Sequence, residues 1–171
     1  MKKSILLSVL FFAFAFTAHA QKFAFIDMEY IAKNIPAFEK ANKQIEDASK
    51  KYQSEVEAVA KQAETLYKDY QAQAVKLSEQ QKMQKEEAIV AKEKEAAELR
   101  RKYFGQDGEL SKMQRDLIGP LQDKIYDAVK NVAETQGYAA IIDRSSANSV
   151  IFASPRIDIS DEILSKLGYS N

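Results

Sequence analysis

The chain contains no cysteine and no tryptophan, and its 171 residues include one histidine, three prolines and five glycines. Each shortage closes off a class of chemistry. Without cysteine there is no disulfide framework, no thiolate zinc site and no thiol nucleophile. A serine–histidine–aspartate triad would have only His19 to draw on. Lys plus Arg (25) and Asp plus Glu (25) cancel, which argues against a general nucleic-acid binder held by phosphate charge. Few glycines and prolines with 29% charged residues leave few turns and many helix formers.

The one long apolar run is at the start. Met1-Lys2-Lys3 is basic, Ile5 to Phe16 is apolar apart from Ser8, and Ala18-His19-Ala20 is a small-x-small cleavage pattern. These are the three regions of a secretory signal peptide, with cleavage expected after Ala20 and export to the periplasm. The run is shorter than the about 20 residues a membrane-spanning helix needs, which sets aside an uncleaved anchor. Gln21, not Cys, follows the cleavage point, so no lipid anchor is expected. Removing residues 1–20 takes away His19, Lys2 and Lys3 and leaves 23 positive and 25 negative residues, a net charge of −2.

Lys22-Phe23-Ala24-Phe25-Ile26-Asp27 reads as a short strand buried on both faces, and 28–34 as a helical turn. Pro36 suits the first turn of a helix, and from Ala37 to Phe104 there are 68 residues without glycine or proline. Phe38, Ala41, Ile45, Ala48, Tyr52, Val56, Val59, Ala63, Leu66, Tyr70, Ala74 and Leu77 form one stripe with a period of 3.6. Ser78 and Gln81 offer a capping box, so a chain reversal is expected near 77–79 rather than one unbroken rod. On the returning helix two sets recur every seven residues: Met83, Val90, Ala97, Phe104, and Ile89, Ala96, Tyr103, Leu110. Charged Glu86, Glu87, Glu93, Lys94, Arg100 and Arg101 lie between them, which predicts a thin, easily bent seam.

Gly105, Gly108, Gly119 and Pro120 interrupt the pattern and are the candidate hinges, with a helix break expected at Gly119-Pro120. Leu121, Ile125, Ala128, Val129, Val132 and Ala133 make a further amphipathic helix capped by Gly137. Tyr138–Asp143 and Ser149–Ala153, joined by a turn at 144–148, read as a β-hairpin. Asp158 or Ser160 is placed to cap a last helix over 161–167 that Gly168 ends. The expected class is α+β, mainly α: a long antiparallel helical hairpin (37–104) inserted into a small β body (21–36 and 105–171). Three short strands cannot bury a core alone. The body is therefore expected to be completed between copies, with Phe23, Phe25, Ile141, Ile142, Ile151 and Phe152 as the oligomer core.

Charge is uneven. Residues 37–77 carry seven positive and seven negative groups, 79–104 seven and six, and 105–171 seven and ten. The helical arm is near neutral and the body acidic. Arg100-Arg101-Lys102 reads as part of a solvated, ion-paired helix face, and Asp143-Arg144-Ser145-Ser146 as a turn. Asp27, Glu29 and Asp143 are the one candidate set of paired carboxylates, with nothing to fix their spacing. No glycine precedes Gly105, so no phosphate-binding loop is expected. The expectation is no enzyme, no catalytic or metal-ligating residue and no cofactor. Phe38, Tyr52, Tyr67 and Tyr70 read first as a helix–helix seam. Tyr67, Tyr70, Leu77 and Met83, with Lys76, Lys82 and Lys85 near the tip, are the candidate contacts for an apolar or unfolded chain.

The order of elements resembles the OmpH/Skp family of periplasmic chaperones. The likeness is carried by Lys22-Phe23-Ala24-Phe25-Ile26-Asp27-Met28, Pro120-Leu121-Gln122-Asp123-Lys124-Ile125, Tyr138-Ala139-Ala140-Ile141-Ile142-Asp143 and Asp158-Ile159-Ser160-Asp161-Glu162-Ile163-Leu164. The resemblance implies a jellyfish-like homotrimer, with a small β-barrel made by all three chains and three helical tentacles around a cavity. It implies an ATP-independent holdase that binds unfolded outer-membrane proteins and prevents their aggregation. The well-known members are strongly basic. This chain is not, so the resemblance does not carry over a lipopolysaccharide or membrane site, and apolar contacts are expected to dominate client capture. The competing reading is a non-catalytic coiled-coil scaffold or spacer of the cell envelope, which would be expected to zip both helices tightly.

Overall fold

The computed structural model describes residues 21–147 and 150–169. The expected signal peptide and residues 148–149 of the expected second hairpin turn and strand lie outside the described residues. Two compact units divide the chain: residues up to Ile31 together with those from Tyr126 onward, and Ala32–Ile125.

In the first unit, β1 (Lys22–Ile26) pairs in parallel with β2 (Tyr138–Asp143), with Phe23 opposite Ala140, Ala24 opposite Ile141 and Phe25 opposite Ile142. Helix α1 (Met28–Lys33) follows β1. The other edge of β1 is taken by the chain near Asp158, where the Ile159 N–H donates to the Phe25 carbonyl at 2.9 Å. Side chains alternate across a strand. Ala24 and Ile26 point to a closed face and are 0% and 5% exposed, whereas Phe23 and Ile142 share the opposite face at 45% and 37%. Helix α5 (Ser160–Lys166) contributes Ile163 and Leu164 to the core. Burying each such aliphatic side chain stabilises the fold by about 1.5–3 kcal/mol.

Among the described residues the expected β-hairpin is not formed. Residues 150–153 are not in a strand, and Ile151 and Phe152 are 99% and 81% exposed. The reason lies at the end of β2. The Asp143 carboxylate accepts from the Ser145 N–H and from the hydroxyls of Ser145 and Ser146, closing an Asx-type turn. Asp158 accepts from the Ser160 N–H at 2.9 Å and so steadies the start of α5.

In the second unit, α2 (Pro36–Gln73) and α3 (Glu79–Phe104) form an antiparallel hairpin, about 57 and 39 Å long at 1.5 Å per residue. A single 3₁₀ turn at Ala74–Lys76 leads to Ser78, whose hydroxyl accepts from the Gln81 N–H while the Gln81 side chain accepts from the Ser78 N–H. This is the capping box read from the sequence. Helix α4 (Glu109–Gln136) starts in this unit and ends in the other. The break expected at Gly119-Pro120 does not occur, because both residues lie inside α4. Proline removes one donor, and a 28-residue helix retains the rest of its ladder. After α4, Gly137 takes φ +70, a left-handed conformation that favours glycine.

A candidate client-binding face on the helical hairpin

The α2 stripe from Tyr52 to Tyr70 forms the seam with α3: Val56 and Ala63 are buried, and Tyr52, Val59 and Tyr70 are half-buried. Phe38 and Ala41 are also buried, but they lie about 17–21 Å before Tyr52 along α2, past the end of α3. On α3 only one of the two seven-residue sets enters the seam. Ile89 and Tyr103 are 7% exposed and Ala96 is half-buried, while Val90 and Met83 of the other set are 60% and 61% exposed and Phe104 39%. The half-buried residues Lys85, Lys92 and Leu99 complete the seam with steps of three and four. The intervening seam positions are therefore not the charged residues Glu86, Glu87, Glu93, Lys94, Arg100 and Arg101.

Polar contacts fix the pairing. The Tyr52 and Tyr103 rings stack at 4.0 Å, and the Tyr103 hydroxyl donates to Glu55. Nearer the tip, the Tyr70 hydroxyl donates to Glu86 across the hairpin. The hydrogen bond to Glu55 pushes the Tyr103 phenol above its ordinary pKa, and that to Glu86 does the same for Tyr70. A phenol beside a carboxylate keeps its proton to donate.

One flank of the hairpin is open. Val56, Ala60, Ala63 and Tyr67 from α2, with Ala96, Ala97 and Phe104 from α3, line a groove of 880 Å³ edged by Glu64, Glu93, Arg100 and Arg101. Four alanines leave the space, and Tyr67 and Phe104 wall it. Met83, Val90, Ala97 and Phe104 drift only about 20° per heptad around a straight helix. Met83 and Val90 thus continue this apolar edge toward the tip. The opposite flank of α3 carries Gln84, Ala88, Ala91, Glu95, Glu98 and Lys102, with no large apolar side chain.

The expected contact residues meet different fates. Tyr67 lines the groove and Met83 lies on the same apolar edge. Tyr70 is committed to Glu86. Leu77 is half-buried, its N–H donating to the Ala74 carbonyl. Lys82 pairs with Glu79 at 2.8 Å, Lys85 sits half-buried in the seam, and Lys76 is exposed. Val90, Phe104 and Val75, the last 100% exposed, are further exposed apolar residues beyond the expected contacts. The repeat of Met83, Val90, Ala97 and Phe104 was the available signal for two of them. Arg100 and Arg101 line the groove and form no ion pair among the described residues, contrary to the ion-paired face expected.

Gly105 and Gly108 form a close-packed turn after α3. The Gly108 N–H donates to the Gly105 carbonyl at 2.9 Å, and a Cβ on Gly105 or Gly108 would meet the carbonyl oxygen of Arg101 at 2.4 Å or of Tyr103 at 2.7 Å. Any larger residue must push this backbone apart.

The carboxylates near β1 serve a different purpose. Arg144 bridges Asp27 at 3.3 Å and Asp158 at 3.1 Å, and buried Ser160 accepts from the Asp27 N–H and donates to Asp158. Burial alone pushes the Asp143 carboxyl up, but hydrogen bonds from Ser145, Ser146 and the Met28 N–H outweigh it and hold the group below the usual range. Asp27 and Asp143 are thus tied into the fold, while Glu29 is exposed. This is a clamp between β1, the turn after β2 and the start of α5.

No helix among the described residues is long and apolar enough to cross a membrane. The sequence profile of the OmpH-like outer membrane protein family matches residues 22–167. The chain is 29% identical to the Chaperone protein Skp of Yersinia enterocolitica, over 98% of its own length and 99% of the relative's. It is 27% identical to that of Pectobacterium atrosepticum, over 86% of each. Its fold matches the crystal structure of an OmpH-like protein from Caulobacter crescentus with a TM-score of 0.65 at 11% identity, covering 86% of this chain and 84% of that one. A profile match over nearly all of the described chain, on a helical hairpin joined to a small parallel sheet, makes this protein a member of the OmpH-like outer membrane protein family.

Proposed function

We propose that the protein is an ATP-independent periplasmic holdase that takes up unfolded outer-membrane proteins between helical arms and prevents their aggregation. The observation that carries this reading is the sidedness of the hairpin. Its seam is closed, yet Met83, Val90, Tyr67 and Phe104 remain on water along one flank. A spacer would gain stability by zipping both sets of α3 into the seam. An exposed, discontinuous apolar strip bordered by charge suits many weak contacts with a chain that has no fixed shape. The relatives named Chaperone protein Skp support the same reading.

The arms act together in a homotrimer. Support comes from the uncovered sheet face bearing Phe23, Phe25 and Ile142, and from exposed Ile151 and Phe152. None of the six residues assigned to the oligomer core, Ile141 included, is fully buried in the single chain. Weak contacts on three arms multiply through effective concentration. The Gly105–Gly108 turn is the proposed hinge, with Gly119-Pro120 as a second pivot. The test is to dilute a denatured outer-membrane β-barrel protein into buffer with and without the chain. The expected result is suppressed turbidity without nucleotide, and a mass of three chains by light scattering. No suppression at several-fold excess, or a monomer, overturns the reading.

A further inference from the structure

The hairpin groove is electrically lopsided. Glu64 is neutralised by Lys68 one turn on. Arg100 and Arg101 line the groove beside Phe104 and form no ion pair among the described residues. Glu93, the other acidic group at the edge, lies seven and eight residues earlier on α3, about 10–12 Å away. That is about one Debye length at 0.1 M salt. The Phe104 end of the groove's lining therefore carries two guanidinium groups without an ion-paired carboxylate, on an arm that is otherwise near neutral.

The dimensions narrow the occupant. Val56 to Tyr67 spans about 17 Å of α2, the length of about five residues in an extended chain. Ala60 and Ala97 provide the floor where a ring has room, between Tyr67 and Phe104. Arg100 and Arg101 stand about 4.5–6 Å further along α3 than Ala97, one or two extended residues away.

We propose that the groove takes an extended five-residue segment of unfolded polypeptide in which an aromatic side chain has an acidic residue within two positions. The ring lies on the alanine floor and the carboxylate faces Arg100 and Arg101. This rests on the holdase reading and adds a local preference to it. Charge complementarity selects a polypeptide with that pairing over a basic one, while the apolar floor supplies the contact common to both.

The test uses the intact chain and fluorescein-labelled ten-residue peptides with one Phe flanked by two Asp, by two Lys, or with the Phe replaced by Ala. Binding is read by anisotropy in about 0.05 M salt, where exposed charge pairs are least screened. The Asp peptide is expected to bind about three- to tenfold more tightly than the Lys peptide, as two exposed charge pairs allow. R100Q/R101Q is expected to erase that difference by weakening the Asp peptide while the Lys peptide binds as well or slightly better, and Ala60→Phe to weaken both. Circular dichroism checks that these exposed substitutions leave the helices intact. Equal binding of the Asp and Lys peptides, or equal loss of both in R100Q/R101Q, overturns the proposal. So does Arg-dependent binding of anionic vesicles without peptide binding, which would make a lipid the occupant. Peptide binding that falls as protein concentration rises would assign the groove to a second copy and also overturn it. If any of these occurs while aggregation is still suppressed, the preference fails and the holdase reading survives. Absence of suppression fails the holdase reading itself.

Discussion

Ile89 and Val90 are neighbours in sequence with opposite places in the fold, and replacing each with alanine separates what holds the hairpin from what it offers to others. Ile89 is 7% exposed in the seam; Val90 is 60% exposed on the open edge. Ile→Ala in a closed core costs about 2–5 kcal/mol. The lower end applies here, because Ala96 and the half-buried Lys85 and Lys92 flank the site and leave room to relax. A loss of about 2 kcal/mol raises the opening equilibrium about 30-fold. Val90→Ala removes little that is buried and gains a few tenths of a kcal/mol in helix propensity, so it should fall within about 0.5 kcal/mol of the original. Native-state hydrogen exchange of the full chain, read over the amides of 79–104, measures this opening directly. Client affinity should move the other way: about two- to threefold weaker in Val90→Ala, from the lost part of an apolar contact. Equal acceleration of exchange in both variants, or none in Ile89→Ala, would refute the assignment of the two faces.

Ser160→Ala should cost about 1–3 kcal/mol in urea unfolding, because the Asp27 N–H loses its acceptor in a closed site. The Tyr70 and Tyr103 phenols are held above their ordinary pKa by Glu86 and Glu55. Their contribution is therefore full below about pH 10, the unfolded phenol value, and is lost as pH rises through the higher folded values. The urea midpoint should fall with pH above that point, and by less in Tyr103→Phe. Asp143 is shifted the other way, so its contribution is present above its unfolded pKa and declines as the solution is acidified through the lower folded value. Asp143→Asn should flatten that decline. Bulk client capture should survive about 0.5 M salt, because the arm carries nearly equal charges of both signs; complete loss by turbidity assay would show that charge, not apolar contact, dominates.

The long helix α2 is legible because its apolar residues repeat every 3.6 positions without interruption, and Ser78 with Gln81 marks the reversal. Helix α3 is harder. Its two sets, Ile89-Ala96-Tyr103 and Val90-Ala97-Phe104, differ by one residue in position and little in composition. Leu99 breaks the tie, since it falls midway in the first set and has no counterpart in the second. The charged residues that seemed to lie between the sets concealed it. The parallel pairing of β1 with β2 leaves no local trace, because strand neighbours are set by where α4 delivers the chain. The hairpin signal at 138–153 was two apolar runs with a polar link, and the Asp143 turn diverts that link. The groove is least legible of all. It consists of missing volume at Ala60, Ala63, Ala96 and Ala97, and alanine in a helix signals nothing but helix.

The parallel strand pair also sets an order of events during synthesis. Met28 and Asp143, joined at the sheet end, are 115 residues apart, and Asp27 and Ser160 133 apart. The contacts of α2 with α3 close around a short turn, so the arm can form while the C-terminal segments are still emerging. Contacts between distant parts of a chain carry a larger entropic cost and form late. Until residues 138–159 arrive, β1 remains an apolar strand with both edges unsatisfied, open to pairing with any other extended chain. The part of the molecule that leaves the ribosome among the first is thus among the last to be satisfied, and a newly made chain is for that interval itself an aggregation-prone polypeptide of the kind its finished form is proposed to hold.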